Sequence, residues 1–159
     1  MRLLLDDTLC SKKGPEVHGV CSHLDPVRST KAVRVFAFAH CRVVLCVVVD
    51  VPFSSRPWAL PVLFRLYRSR QTVAKHGGPY ATRPELALAL LHLLGTRFPR
   101  HRFHAVADAA YGGQNVLKYL PGNCHLTSRL VMDARLYDAP PPRPRGQSGR
   151  PRLRGRRLP

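Results

Sequence analysis

Twice in this chain a short apolar run ends on an acid. Leu3-Leu4-Leu5 leads into Asp6-Asp7-Thr8, and Phe103-His104-Ala105-Val106-Ala107 leads into Asp108. Apolar runs of this length, bounded by polar residues, read as buried strands. A carboxylate at the mouth of such a strand is partly desolvated, which makes its charge costly unless a cation or hydrogen bonds offset it. The pattern asks for a sheet whose strand ends gather acids, with something positive facing them.

Acids are scarce elsewhere. Nine Asp and Glu stand against 26 Lys and Arg, giving a formal net charge of +17 and a pI near 11.0. Such an excess attracts polyanions, either nucleic acid or an anionic membrane surface. Acids placed at strand ends in so basic a chain read as ligands for a divalent metal. With 159 residues and 45% hydrophobic content, the chain is long enough to bury one real core. Its longest apolar run, Val43 to Val49, lies between Arg42 and Asp50 and is far too short to span a bilayer. The start imitates a leader for three apolar residues before two aspartates stop it, so an intracellular protein with no membrane partner is expected. Five cysteines at irregular spacing, with no Cys-x-x-Cys pair, exclude a disulfide framework and leave Cys41 and Cys46 as buried thiols.

The patterning predicts a first strand over Arg2 to Asp7 and an extended or hairpin connection from Thr8 to Thr30. The main sheet signal follows over Ala32 to Val51, with a phase switch before Phe36 that predicts a bulge there. The continuous run Val43 to Val49 predicts a central strand covered on both faces. Pro61 within Trp58 to Tyr67 predicts an edge strand or irregular segment. Thr82-Arg83-Pro84-Glu85 fits a capping box opening a helix with a stripe at Leu86, Leu90, Leu93 and Leu94, and Gly95 is its predicted stop. Then come strand Phe103 to Ala107, a turn at Gly112-Gly113, a helix from Gln114 to Tyr119 and a strand over Cys124 to Ser128. Ala139 to Pro159 is Pro, Gly and Arg with no acid, a segment expected to be disordered when unbound. It reads equally as a solvated tail or as an arm for phosphates.

Taken together the order is that of an α/β mixed sheet, and it resembles the ribonuclease-H-like fold, in which carboxylates from adjacent strands hold two divalent ions. Particular segments resemble the DDE-class insertion-sequence transposases, the bacterial DDE-superfamily endonucleases. They are Leu4-Leu5-Asp6-Asp7-Thr8, Lys13-Gly14 with Val17-His18-Gly19-Val20, His23-Leu24-Asp25-Pro26, Val35 to His40, Pro57-Trp58-Ala59-Leu60-Pro61 and Val106-Ala107-Asp108-Ala109-Ala110-Tyr111-Gly112. Arg129 to Tyr137 and Gly149-Arg150-Pro151-Arg152 extend the likeness to the end of the chain.

The resemblance implies a partial, ribonuclease-H-like catalytic domain over 1–138, with flanking helices, and a Pro/Arg-rich disordered tail over 139–159. It implies that Asp6 and Asp108 are the first and second catalytic acids and metal ligands, with Asp7 an alternative to Asp6, since successive strand residues face opposite ways. The cofactor implied is Mg²⁺ (or Mn²⁺), two ions clamping a phosphodiester for in-line attack. The partner implied is DNA, both transposon ends and target, with a homodimer in the intact enzyme and a nucleoid-associated place in the bacterial cytoplasm. Departures matter too. The family's third acid, a glutamate on a later helix, has no counterpart, because the only glutamates are Glu16 and Glu85. Asp133 and Asp138 match a different segment. The expectation is a piece of a transposase cut at both ends and inactive alone.

Blander readings compete. Singly, an Asp at a strand end is a turn or helix cap more often than a ligand. His18, His23 and His40 with Cys10 and Cys21 imitate a zinc set at spacings that fit no standard finger. Lys12, Lys13, Arg28 and Lys31 read first as a solvated face and second as a contact for target DNA. Tyr111 reads as core, and Trp58 as structure. The functional alternative is a non-catalytic basic protein held to nucleic acid by charge alone.

Overall fold

The computed structural model describes residues 1–14 and 16–158, so Pro15 and the last residue of the expected tail, Pro159, lie outside the described residues. The strands are β1 (Arg2–Ser11), β2 (Cys21–Leu24), β3 (Phe36–Val49), β4 (Trp58–Tyr67), β5 (Phe103–Ala107) and β6 (Cys124–Ser128). The helices are α1 (Arg70–His76), α2 (Arg83–Arg97) and α3 (Gln114–Leu117), with a 3-10 turn at Ala109–Tyr111. Contacts divide the chain into two units, Met1–Arg129 and Leu130–Pro159.

One mixed sheet organises the first unit. Its order is β2-β3-β1-β5-β6, and β4 also pairs with β3. The long β3 pairs antiparallel with β1 over Ala39 to Val47, with β2 at its start and with β4 over Cys41 to Val49. β1 then pairs parallel with β5, and β5 parallel with β6. Parallel neighbours need a crossover, and the chain supplies α2 ahead of β5 and α3 ahead of β6.

The core lies on one face of this sheet. Leu3 and Leu5 of β1, Val43 and Leu45 of β3, and Phe103, Ala105 and Ala107 of β5 pack with Ala87, Leu90, Leu91 and Leu94 of α2. Burial of a Leu-sized side chain is worth about 1.5–3 kcal/mol, so this layer dominates the favourable side of folding. The opposite face stays open to solvent at Leu4, Phe38, Phe64 and Val106, which are 39–68% exposed.

Several expectations need correction. β1 runs on to Ser11, and the connection after it contains β2. No register shift marks the start of β3; the shift lies at Leu45/Cys46, where β4 brings Pro61 opposite Cys46. Pro61 has no N–H to give the ladder, and an edge-strand irregularity is where such a residue is tolerated. The run Val43 to Val49 is not covered on both faces: Val43 and Leu45 are buried, whereas Val44, Cys46 and Val48 are half-buried. At the start of β3 the alanine Ala39 is buried while Phe36 and Phe38 are exposed.

The α2 capping box forms as expected. Thr82 Oγ1 accepts from the Glu85 amide, and the Glu85 carboxylate accepts from the Thr82 amide at 2.7 Å. Gly95 does not stop this helix, which continues to Arg97. A Cβ at Gly95 would sit 2.8 Å from Asn123 Oδ1 and 3.1 Å from Pro121, so the glycine is there for close approach. Helix α1, capped by Ser69, had no clear signal in its sequence.

The second unit has neither helix nor strand among its described residues. Tyr137 and Arg157 form a bridge, the Gly155 amide donates to the Asp138 carbonyl at 3.0 Å, and Arg154 stacks over the Tyr137 ring.

Candidate active site

The two strands whose apolar runs lead into acids, β1 and β5, are neighbours. Pairing of β1 with β5 runs from Arg2↔His104 to Leu5↔Ala107, so Asp6 and Asp108 are the residues that follow the last pair on each chain segment. Asp108 keeps an extended backbone (φ −77°, ψ 179°), so it continues the alternation of β5. Asp6 follows buried Leu5, and Asp108 follows buried Ala107; both acids are exposed on the face away from α2.

Each exposed acid has one oxygen engaged. Asp6 Oδ1 accepts from the Asp7 amide at 2.8 Å. Asp108 Oδ1 caps the following turn by accepting from the Ala110 amide at 2.9 Å. Among the described residues neither second oxygen has a protein donor. The turn after Asp108 is pinned from below. Tyr111 N and Ser128 Oγ both donate to the Asp108 carbonyl, at 3.2 and 2.9 Å. Gly112 allows that approach, because a Cβ there would collide with the Ser128 hydroxyl.

Asp7 is differently placed. Its side chain points to the α2 face and is 16% exposed. Oδ1 accepts from the Tyr111 hydroxyl at 2.9 Å, and Oδ2 accepts from Arg83 Nη1 at 2.8 Å and from Cys41 Sγ at 3.5 Å. Arg83 in turn lies over the Tyr67 ring at 5.5 Å. Buried carboxylates survive only when paired and hydrogen-bonded, and Asp7 has both.

The cluster shifts its own titrations. Burial, then the negative charge of Asp7, pushes the Tyr111 hydroxyl well above the phenol range. The same two causes push the Cys41 thiol up to about 12. Burial lowers His23, and the nearby Arg83 charge lowers it further. For Arg83 burial is the largest influence and opposes the charge, but Asp7, Cys41 and Tyr111 together offset it and the guanidinium is held above its usual range.

Sequence reasoning singled out Asp6, Asp7 and Asp108 but missed Arg83 and the hydroxyl of Tyr111 as their partners. Arg83 was hidden in the helix cap, and only its place at the start of α2 hinted that it could reach inward. Tyr111 is core, as its position suggested, with 0% exposure. Lys12, Lys13, Arg28 and Lys31 are exposed. Cys21 Sγ and His23 Nε2 lie 3.0 Å apart, and His40 bonds the His18 carbonyl. Among the described residues no three His, Cys, Asp or Glu side chains form a metal-holding group.

Compared with known families, residues 1–159 match the DDE superfamily endonuclease family along their whole length. The chain belongs to that family. The curated proteins and the solved structures compared with it gave no match. Membership of the DDE superfamily endonucleases brings a nuclease or transposase type of function, and enzymes of this superfamily generally use divalent metals. The donor chemistry on the exposed face suits such an ion in part. Two carboxylates with free oxygens are hard ligands of the kind magnesium takes together with water. A third protein acid is not gathered beside them among the described residues. Glu85 is occupied by its helix cap, where the Thr82 bonds hold its carboxyl below the usual range.

No helix among the described residues is long and apolar enough to cross a membrane.

Proposed function

We propose that this chain carries the first two acids of a DDE transposase catalytic domain, ribonuclease-H-like in architecture, with the domain over 1–138 and a basic tail over 139–159. Asp6 and Asp108 are the acids that would hold Mg²⁺ (or Mn²⁺), and the reaction they belong to is cleavage and strand transfer of DNA. The observation that supports the reading is the parallel pairing Leu5↔Ala107, which ends one residue before each of the two exposed acids.

In the mechanism, Asp6 and Asp108 each present one carboxylate oxygen with no protein donor, on strands rigidly paired through the core. A bound divalent ion would supply Lewis acidity at the scissile phosphate. The protein's part is to hold the two oxygens in place and to attract the phosphate backbone through its basic surface. Lys12, Lys13, Arg28 and Lys31 are exposed and free to take backbone phosphates, contacts that position the duplex without reading its sequence. With two acids rather than three, one ligand and one negative charge are missing from the cage. Cation binding is weak and cleavage by this chain alone is slight or absent.

A second reading, nucleic-acid binding without catalysis, is favoured by the net charge of +17 and by the missing third acid. Asp108→Asn separates the two. On the first reading the substitution abolishes Mn²⁺ binding and any residual plasmid nicking, while DNA affinity is kept or rises because a negative charge leaves the face. On the second it changes neither cation binding nor nicking, and affinity for DNA simply falls steeply with salt. Tight binding of two ions by the unmodified chain in calorimetry would overturn the proposed inactivity.

A further inference from the structure

Asp7, beside the proposed acid pair, has no part in that site as described so far. It is mostly buried, faces away from Asp6, and has both oxygens taken, one by Tyr111 and one by Arg83. Its bond to Tyr111 joins residues 104 positions apart in sequence. Tyr111 is the last residue of the turn that Asp108 caps, and its amide donates to the Asp108 carbonyl. The turn therefore has two anchors. Ser128 Oγ holds the Asp108 carbonyl from β6, and Asp7 holds the Tyr111 ring from β1.

The charge arithmetic fits a holding role. Asp7 and Arg83 form an ion pair at 2.8 Å, so Asp7 adds no uncompensated negative charge beneath the two exposed acids. Arg83 comes from the first turn of α2, and Cys41 from β3 adds a weak thiol donor. Three elements converge on one carboxylate carried by a fourth.

We infer that Asp7 is a positioning residue: through the Tyr111 hydroxyl it fixes the turn that aims the Asp108 carboxylate at the place where Asp6 also points. This rests on the Asp6–Asp108 reading proposed above and deepens it. It also gives separate roles to the two successive aspartates in the middle of β1. One is exposed for a ligand, and the next braces the partner acid from the other face of the same strand.

The test uses the full chain and two conservative variants, Tyr111→Phe, which removes only the hydroxyl, and Asp7→Asn. Amide hydrogen exchange, followed by NMR, should speed up by about tenfold at Ala110 to Gly112 in Tyr111→Phe, the scale of one lost hydrogen bond to a charged group. Exchange in the β1–β3 ladder should stay unchanged. Mn²⁺ affinity, read from the free-ion EPR signal, should fall about three- to tenfold in both variants, although neither residue touches the ion. Exchange that rises equally throughout β1 and β3 would reduce the Tyr111–Asp7 bond to a general stability contact and overturn the inference. Tighter Mn²⁺ binding in Tyr111→Phe would also overturn it, by showing that Asp7 is itself a ligand released from its clamp. If Asp6→Asn and Asp108→Asn leave Mn²⁺ binding unchanged, it is the acid-pair reading that falls. The local exchange pattern still decides whether Asp7 braces the turn.

Discussion

The helix-covered face of the sheet and its open face hold their acids on opposite terms. On the covered face Asp7 sits among Tyr111, Arg83 and Cys41, with both of its oxygens accepting hydrogen bonds. On the open face Asp6 and Asp108 each spend one oxygen on a local backbone amide and keep the other free. The two situations differ by one residue along β1. Period-two alternation turns a single step in sequence into the difference between a buried, paired carboxylate and an exposed one. A carboxylate's environment, more than its presence, says what it can do.

That contrast can be attacked first through packing. Leu90→Ala, in the layer beneath β1 and β3, should cost about 3 kcal/mol in urea unfolding, as expected for a buried leucine truncated in a close-packed core. Leu4→Ala on the open face should cost well under half as much. Equal losses would mean that the two faces are not distinguished by burial.

Next come the neighbouring acids themselves. Asp7→Ala strands the Tyr111 hydroxyl and the Arg83 guanidinium without their acceptor. The expected loss is about 2 kcal/mol, below the full cost of breaking a buried pair because Arg83 is half exposed. Asp6→Ala, measured in the same way, should stay within about 0.5 kcal/mol of the parent, the usual range for a surface site. If Asp6→Ala proves the more damaging, the roles assigned to the two residues are reversed.

Alkaline pH tests the same buried cluster. Cys41 has a folded value of about 12 against an ordinary value of 9.0, so its proton is held more tightly in the folded chain. Its contribution to stability is intact below pH 9 and is lost as the pH climbs from about 9 towards about 12. The slope from this one thiol is at most about 1.4 kcal/mol per pH unit. Cys41→Ala should flatten the decline of unfolding free energy above pH 9 relative to the parent. An unchanged slope would remove Cys41 from the buried cluster. Thr82→Ala, which deletes half of the α2 capping box, should cost about 1 kcal/mol.

Much of the scaffold was legible in the residues. β5 and β6 follow their apolar alternation, and Thr82 and Glu85 cap α2 as their spacing required. Gly95 misled because a glycine near a helix end reads as a stop, while here it admits Asn123 and Pro121 against the helix. The run Val43 to Val49 misled because an unbroken apolar strand looks covered on both sides, and nothing local reveals a face left open. Within the candidate site, the acids stood out in the sequence because each follows an apolar run. Their partners were not. Tyr111 and Arg83 lie 104 and 76 positions from Asp7, and only the folded sheet brings them to it.

Anomalous diffraction from crystals of the chain soaked in manganese tests the central pairing most directly. Adjacent parallel strands with their acids on the open face predict a manganese peak touching the carboxylates of both Asp6 and Asp108, with Asp7 still bonded to Tyr111 and Arg83. A peak on Asp7 with Arg83 displaced, or the carboxylates of Asp6 and Asp108 too far apart to share one ion, would contradict it.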